Sequence, residues 1–180
     1  MTRHVGYPGV PSLDILDNVV PYIGGEEEKM EWETSKILGS AAPSTETGFH
    51  TPQIPVSVHC NRVPVLDGHL LSLSLSFNQS PAPTPEQVTA ALAEYTCEVQ
   101  HLKCPSAPKK AIVVLKQQDR PQPRLDRMRD GGYAVSVGRI RRDETGVFDI
   151  KMTVLVHNTV LGAAGSSLLI GEYCVAKGLL

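Results

Sequence analysis

The chain lacks a dominant charge, a long apolar run and any close pairing of cysteines, and each lack removes a class of function. Its 17 Lys and Arg stand against 19 Asp and Glu, a formal net charge of −2 at pH 7. The basic surface that binding to nucleic acid demands is therefore missing. One local run of positive charge exists, Arg120, Arg124, Arg127 and Arg129, and Asp119, Asp126 and Asp130 offset it. No stretch approaches the roughly 20 apolar residues that span a bilayer. The polar start Met1 to Val5, broken by Gly6 and Pro8, does not have the form of a signal peptide. Cys60, Cys97, Cys104 and Cys174 show no CxxC spacing, which points to reduced structural thiols in a cytoplasmic protein with no metal site. No internal repeat, low-complexity tract or GxGxxG turn is present, and the regular α/β alternation of a doubly wound nucleotide fold is absent.

What is present fits one domain of 180 residues with room for a core. GYPGVPSLD reads as a loop. Glu26 to Leu38 reads as a helix, opened by three acidic residues that suit the positive end of the helix dipole and stopped by Gly39. Ser40 to Pro55 is polar and interrupted by Pro and Gly, a surface loop or insertion. Val56, Val58 and Cys60 alternate with polar residues, as do Leu71, Leu73, Leu75 and Phe77 with serines, so two strands are expected around the turn Leu66-Asp67-Gly68. Thr84, Pro85 and Gln87 form a capping-box start for a helix whose apolar residues recur from Val88 to Val99. Ala111 to Leu115 is a short strand, Gln117 to Gly132 a long connection. Tyr133 to Arg142 and Val147 to Asn158 form a hairpin, and the tail from Val160 is a final helix. Strands joined by hairpins and mixed with a few helices give an α+β domain with a mixed, largely antiparallel sheet.

Three constellations could carry chemistry. Arg62 and His69 bracket the expected turn, where a guanidinium could clamp a carboxylate and an imidazole could move a proton. An exposed arginine and a loop histidine are the ordinary alternative. Glu33 and Lys36 share a helical face, which alone describes a solvated ion pair. Asn158 and the glycines Gly162 and Gly165 lie where a strand gives way to a helix, small enough for a ligand to approach the backbone, although close helix packing explains them equally well.

Taken in order, GYPGVPSLDILDNVVPYI, EEEKMEWETSKILG, CNRVPVLDGH, RPQPRLDRMRDGGYAVSVGRIR and HNTVLGAAGSS resemble aspartate-semialdehyde dehydrogenases of the fungal and archaeal branch. The resemblance implies the C-terminal domain of such an enzyme, with the glyceraldehyde-3-phosphate dehydrogenase-like fold, helices on one face of the sheet and a homodimer formed through it. These enzymes reduce aspartyl phosphate to aspartate semialdehyde with NADPH, on the route to lysine, methionine and threonine. A cysteine thiolate attacks the acyl phosphate and hydride reduces the thioester. By resemblance His69 is the acid–base residue, Arg62 grips the substrate carboxylate, Glu33 its amino group, and Lys36 helps to hold phosphate. Asn158, Gly162 and Gly165 then lie against the nicotinamide end of NADP. The family's N-terminal NADP-binding domain and its Asn-Cys-Ser/Thr nucleophile have no counterpart in this sequence. The chain alone is therefore expected to be inactive, and residues 158–180 to form a helix that would pack on the domain it lacks. A stand-alone, non-catalytic binding or assembly module with the same fold is the alternative.

Overall fold

The structure is a computed structural model that describes residues 12–42, 44, 46 and 48–180. The chain divides between Leu66 and Asp67 into two compact units. Gly6 to Pro11 of the glycine- and proline-rich opening lie outside the described residues.

In the first unit a single helical turn, α1 (Ser12–Ile15), occupies the end of the segment expected to be all loop. Helix α2 (Glu26–Ile37) begins where its three glutamates predict, after Gly25 in the left-handed conformation (φ 75°). Its end is set by more than a stop signal. A side chain on Gly39 would lie 2.3 Å from the carbonyl oxygen of His50, because the following strands fold back over it. Those strands, β1 (Ser40–Ala41) and β2 (Phe49–His50), pair antiparallel inside the stretch read from sequence as a loop.

The expected strand Val56 to Cys60 does not form. Ile54, Val56, Val58 and Cys60 are half-buried and the residues between them exposed, so the period of two is real, but among the described residues no ladder partner runs beside them. Alternation reports that one side of an extended chain is covered; it does not supply a neighbouring strand. Just beyond Cys60, Arg62 forms an isolated bridge, exchanging hydrogen bonds of 2.9 and 3.0 Å with Val20.

The second unit is built on a four-stranded sheet in the order β3 (His69–Leu75), β6 (Ile150–Val156), β5 (Val135–Arg142), β4 (Ile112–Leu115). Three neighbouring pairs hold it, antiparallel for β3–β6 and β6–β5 and parallel for β5–β4, which is the mixed and largely antiparallel sheet expected. The deepest core lies here: Ile150, Leu155, Val137 and Ala134 are all at most 3% exposed. Helix α3 (Pro85–Glu94) packs on β4 and β5 and carries the predicted capping box, with Thr84 accepting from the Gln87 amide and Gln87 accepting from the Thr84 amide. The helix ends at Glu94, before Val99, and a separate turn α4 (Glu98–His101) follows with Cys97 at its cap.

The long connection after β4 is folded. It holds α5 (Pro123–Asp126) and a tight helical turn, Arg129–Gly132. It also lies so close on the sheet that a side chain on Gly138 would come within 2.3 Å of the Arg120 carbonyl oxygen. Asp126, 1% exposed, organises this segment. It accepts from Arg120 Nε at 2.6 Å and again from Arg120 Nη2, from Arg129 Nη2 at 2.8 Å, and from the Gln122 amide at 2.8 Å. Burial alone would raise its pKa, yet the hydrogen bonds from Arg120, the Gln122 amide and Arg129 outweigh it and hold the carboxyl at about 2.

At the other end of the sheet Asp143 closes the β5–β6 hairpin. It pairs with Lys151 Nζ at 2.6 Å and accepts from the Thr145 hydroxyl and amide. Lys151 holds this carboxyl far below the ordinary range, against the opposing effect of burial.

After β6 the chain makes a wide turn, Val160–Ala164, with bonds from the Gly162 amide to His157 O (2.9 Å) and from Ala164 to Thr159 O (3.2 Å). It then enters α6 (Gly165–Ala176). One side of α6 is tied down: Glu172 accepts from the Ser106 amide and hydroxyl at 2.9 and 2.7 Å, and Tyr173 and Lys177 reach Glu98 at 2.8 and 2.7 Å. Leu168, Ile170 and Val175 remain more than half exposed. Among the described residues no helix is long and apolar enough to cross a membrane, and no group of His, Cys, Asp and Glu could hold a metal ion.

Candidate functional site

The site-bearing end of the second unit starts from one strand pairing. His69 opens β3 directly opposite Val156 near the end of β6, and its side chain is exposed. Two residues past Val156 the chain reaches Asn158. Its carboxamide Oδ1 accepts from the Gly68 amide at 2.8 Å. Arg127 Nη1 donates to the neighbouring Asp67 carbonyl at 3.3 Å. Gly68 has φ 115°, a region that favours glycine, and a side chain there would meet Leu155 Cδ1 at 3.2 Å. The turn before His69 is thus shaped by glycine and gripped from two directions.

Asn158 is itself fixed. It is 8% exposed, and next to it stands His157, 5% exposed. His157 Nδ1 lies 3.3 Å from the amides of both Thr159 and Val160. An amide can only donate, so Nδ1 accepts, and its ring proton resides on Nε2. The imidazole therefore caps the wide turn. The glycines that follow divide in role. Gly162 is exposed, and a side chain there would have only His157 O nearby, at 3.4 Å, so packing within the chain does not demand its smallness. Gly165 is buried, and a side chain there would stand 2.7 Å from the Val160 carbonyl oxygen, so its smallness answers packing within the chain.

Glu33, Lys36 and Arg62 belong to the first unit and are described within it. Glu33 and Arg62 are half-buried. Lys36 makes no ion pair with Glu33. Its ammonium lies over the Trp32 and Phe49 rings, 5.5 and 5.4 Å from their centroids, a cation–π arrangement that keeps the charge on the surface. Cys60 stands beside Met30, its Sγ 3.6 Å from Met30 Sδ. Burial pushes its thiol pKa up, and Glu27 and Glu26 add to the effect. Such a thiol is a poor nucleophile at neutral pH. Cys104 is buried, and Cys97 and Cys174 are half-buried.

The sequence reading missed Arg127, Asp126 and His157. Its signal for the first two was the alternating Arg/Asp run, which was weighed only as a charge patch. His157 carried no signal beyond its place beside Asn158.

Residues 2–161 match the family described as semialdehyde dehydrogenase, dimerisation domain. An aspartate-semialdehyde dehydrogenase of Schizosaccharomyces pombe is 60% identical over 177 residues, which cover 97% of this chain and 48% of that protein. The one from Saccharomyces cerevisiae is 58% identical and covered to 47%. Among solved structures, aspartate semialdehyde dehydrogenase of Candida albicans with NADP superposes with a TM-score of 0.87 at 55% identity, over 96% of this chain and 48% of that one. Aspartate semialdehyde dehydrogenase II of Vibrio cholerae, complexed with ASA, gives 0.68 at 28% identity, over 89% and 42%. The chain spans about half the length of the curated relatives it matches. It belongs to the semialdehyde dehydrogenase dimerisation-domain family.

Proposed function

We propose that the chain supplies the substrate-gripping, C-terminal half of an NADP-dependent aspartate-semialdehyde dehydrogenase that works as a cytoplasmic homodimer. The observation that carries this is the 60% identity running along 97% of the chain, with every proposed site residue inside it. In this reading Arg62 binds the substrate carboxylate through two parallel hydrogen bonds and Glu33 takes the ammonium group. Lys36 swings from its aromatic neighbours to the phosphate, and His69 moves the proton. Bound NADPH supplies the hydride that reduces the acyl group. The chain's residues suit its nicotinamide end in one specific way: Asn158 Oδ1 accepts from Gly68 and leaves Nδ2 as the donor, with exposed Gly162 following in the same segment and Gly165 keeping the turn packed.

The nucleophilic thiol belongs to the other half. Burial and the nearby Glu27 and Glu26 raise the pKa of Cys60, so its thiol is a poor nucleophile at neutral pH. The test is phosphate-dependent oxidation of aspartate semialdehyde with NADP. The purified chain alone shows no turnover. Turnover emerges when the dinucleotide-binding half of the Schizosaccharomyces pombe relative is supplied, and is lost on His69→Gln. Turnover by the chain alone, abolished by changing one of its cysteines, overturns the reading.

A further inference from the structure

We infer that Asn158 and Arg127 are positioning residues for His69, and that Asn158 ties the cofactor segment to the acid–base residue; this rests on the reading of His69 given above. The geometry is specific. His69 is held on its strand by pairing with Val156, but the residues that set where its strand begins, Asp67 and Gly68, lie outside the ladder. Their peptide groups are caught by side chains instead: Gly68 N–H by Asn158 Oδ1 at 2.8 Å, Asp67 C=O by Arg127 Nη1 at 3.3 Å. Gly68 carries a positive φ of 115°, and a side chain there would meet Leu155 at 3.2 Å, Pro123 at 3.6 Å and Arg127 at 3.7 Å, so the turn takes a shape that glycine alone suits.

Each clamp is braced in turn. Asn158 follows His157, whose Nδ1 receives the first amides of the wide turn. Arg127 follows Asp126, which Arg120, Arg129 and the Gln122 amide lock in place. A catalytic imidazole displaced by about 1 Å can lose about 100-fold in rate, and neither clamp needs to touch substrate to prevent this. With Asn158 Oδ1 accepting from Gly68, its Nδ2 is the group left to donate to a ligand. A ligand that draws on Nδ2 orients the carboxamide and, through Oδ1, the turn before His69.

Two measurements decide it. In the isotope-labelled chain, Asn158→Ala speeds hydrogen exchange of the Gly68 amide by about tenfold or more. Asn158→Ala and Arg127→Met each move or broaden the His69 Cε1–H resonance, while slow amides in β5 and β6 keep their exchange. Asn158→Asp, which keeps an acceptor, restores Gly68 protection. Unaltered Gly68 exchange, an unmoved His69 resonance, or loss of protection across β5 and β6 overturns the inference.

In the complemented dehydrogenase, Arg127→Met lowers kcat by about tenfold with KM for NADP within about twofold, because the arginine acts on the turn and not on the cofactor. Should His69→Gln retain full turnover, the acid–base reading fails and the inference with it. Should His69→Gln abolish turnover while Arg127→Met is silent in both measurements, the positioning role alone fails.

Discussion

Replacing Asp126 by Asn tests the brace under the sheet. The carboxylate is 1% exposed and is held at about 2, against an ordinary 3.8. At 1.36 kcal/mol per pKa unit, that gap means the folded state prefers the charged form by roughly 2.5 kcal/mol. Deleting one member of a buried pair can cost about 3–5 kcal/mol when the survivor is stranded. Here the Arg120 and Arg129 side chains keep 20% and 35% exposure and can turn to water. The expected loss is therefore nearer the smaller figure, about 2–3 kcal/mol at pH 7, and about 5–10 °C in Tm for a chain of this size. Urea unfolding followed by circular dichroism measures it.

The pH dependence provides a second arm with a fixed sign. The folded pKa lies below the unfolded one, so the stabilisation is complete above about 4 and is lost as pH falls from there towards about 2. Wild type should lose this increment across that window, and Asp126→Asn should not. A variant within about 0.5 kcal/mol of wild type at pH 7, or parallel loss in both proteins on acidification, would refute the reasoning.

Thr84→Ala removes the hydroxyl that caps α3 and should cost about 1 kcal/mol in the same unfolding assay. Gly165→Ala drives a methyl against the Val160 carbonyl oxygen at 2.7 Å and Val160 Cγ1 at 2.8 Å and should cost about 1–3 kcal/mol, which Val160→Ala relieves only in part because the carbonyl stays. Iodoacetamide at pH 7.5 should label Cys60 more slowly than a free peptide thiol, and Glu27→Gln should quicken it, since burial and then Glu27 raise its pKa; mass spectrometry of the labelled peptide reads this. Light scattering at micromolar concentration should give twice the 19.5 kDa of the chain, and a lone monomer mass counts against the dimer.

How far the fold could be read from sequence varied with the range of the forces involved. The start of α3 was legible because Thr84, Pro85 and Gln87 act within one turn. The β5–β6 hairpin was legible because its turn and alternation are local. The strand at Val56 to Cys60 misled because its alternation arises from one-sided cover, and pairing is a property of whatever lies beside it. The β1–β2 pair and the folded connection around Asp126 escaped for want of a periodic pattern: the two strands are two residues long each, and the Arg and Asp residues near Asp126 read only as offsetting charges. For the candidate site, His69 and Asn158 were named, but the Gly68 hydrogen bond that joins them spans 90 residues of sequence, and no local pattern encodes it.

The pairing of His69 with Val156 also makes the stretch from Val156 to Asn158 a ruler. Side chains on a strand change face with every residue, so one residue more or fewer between these two points would turn the carboxamide away from Gly68. The opposite end of the same hairpin obeys no such rule, since its tip at Gly146 and Val147 is exposed and could lengthen without moving the ladder. Length variation among relatives should therefore collect at the tip and stop short of Val156. A homologue with an insertion between Val156 and Asn158 would have to hold the turn before His69 by some other means.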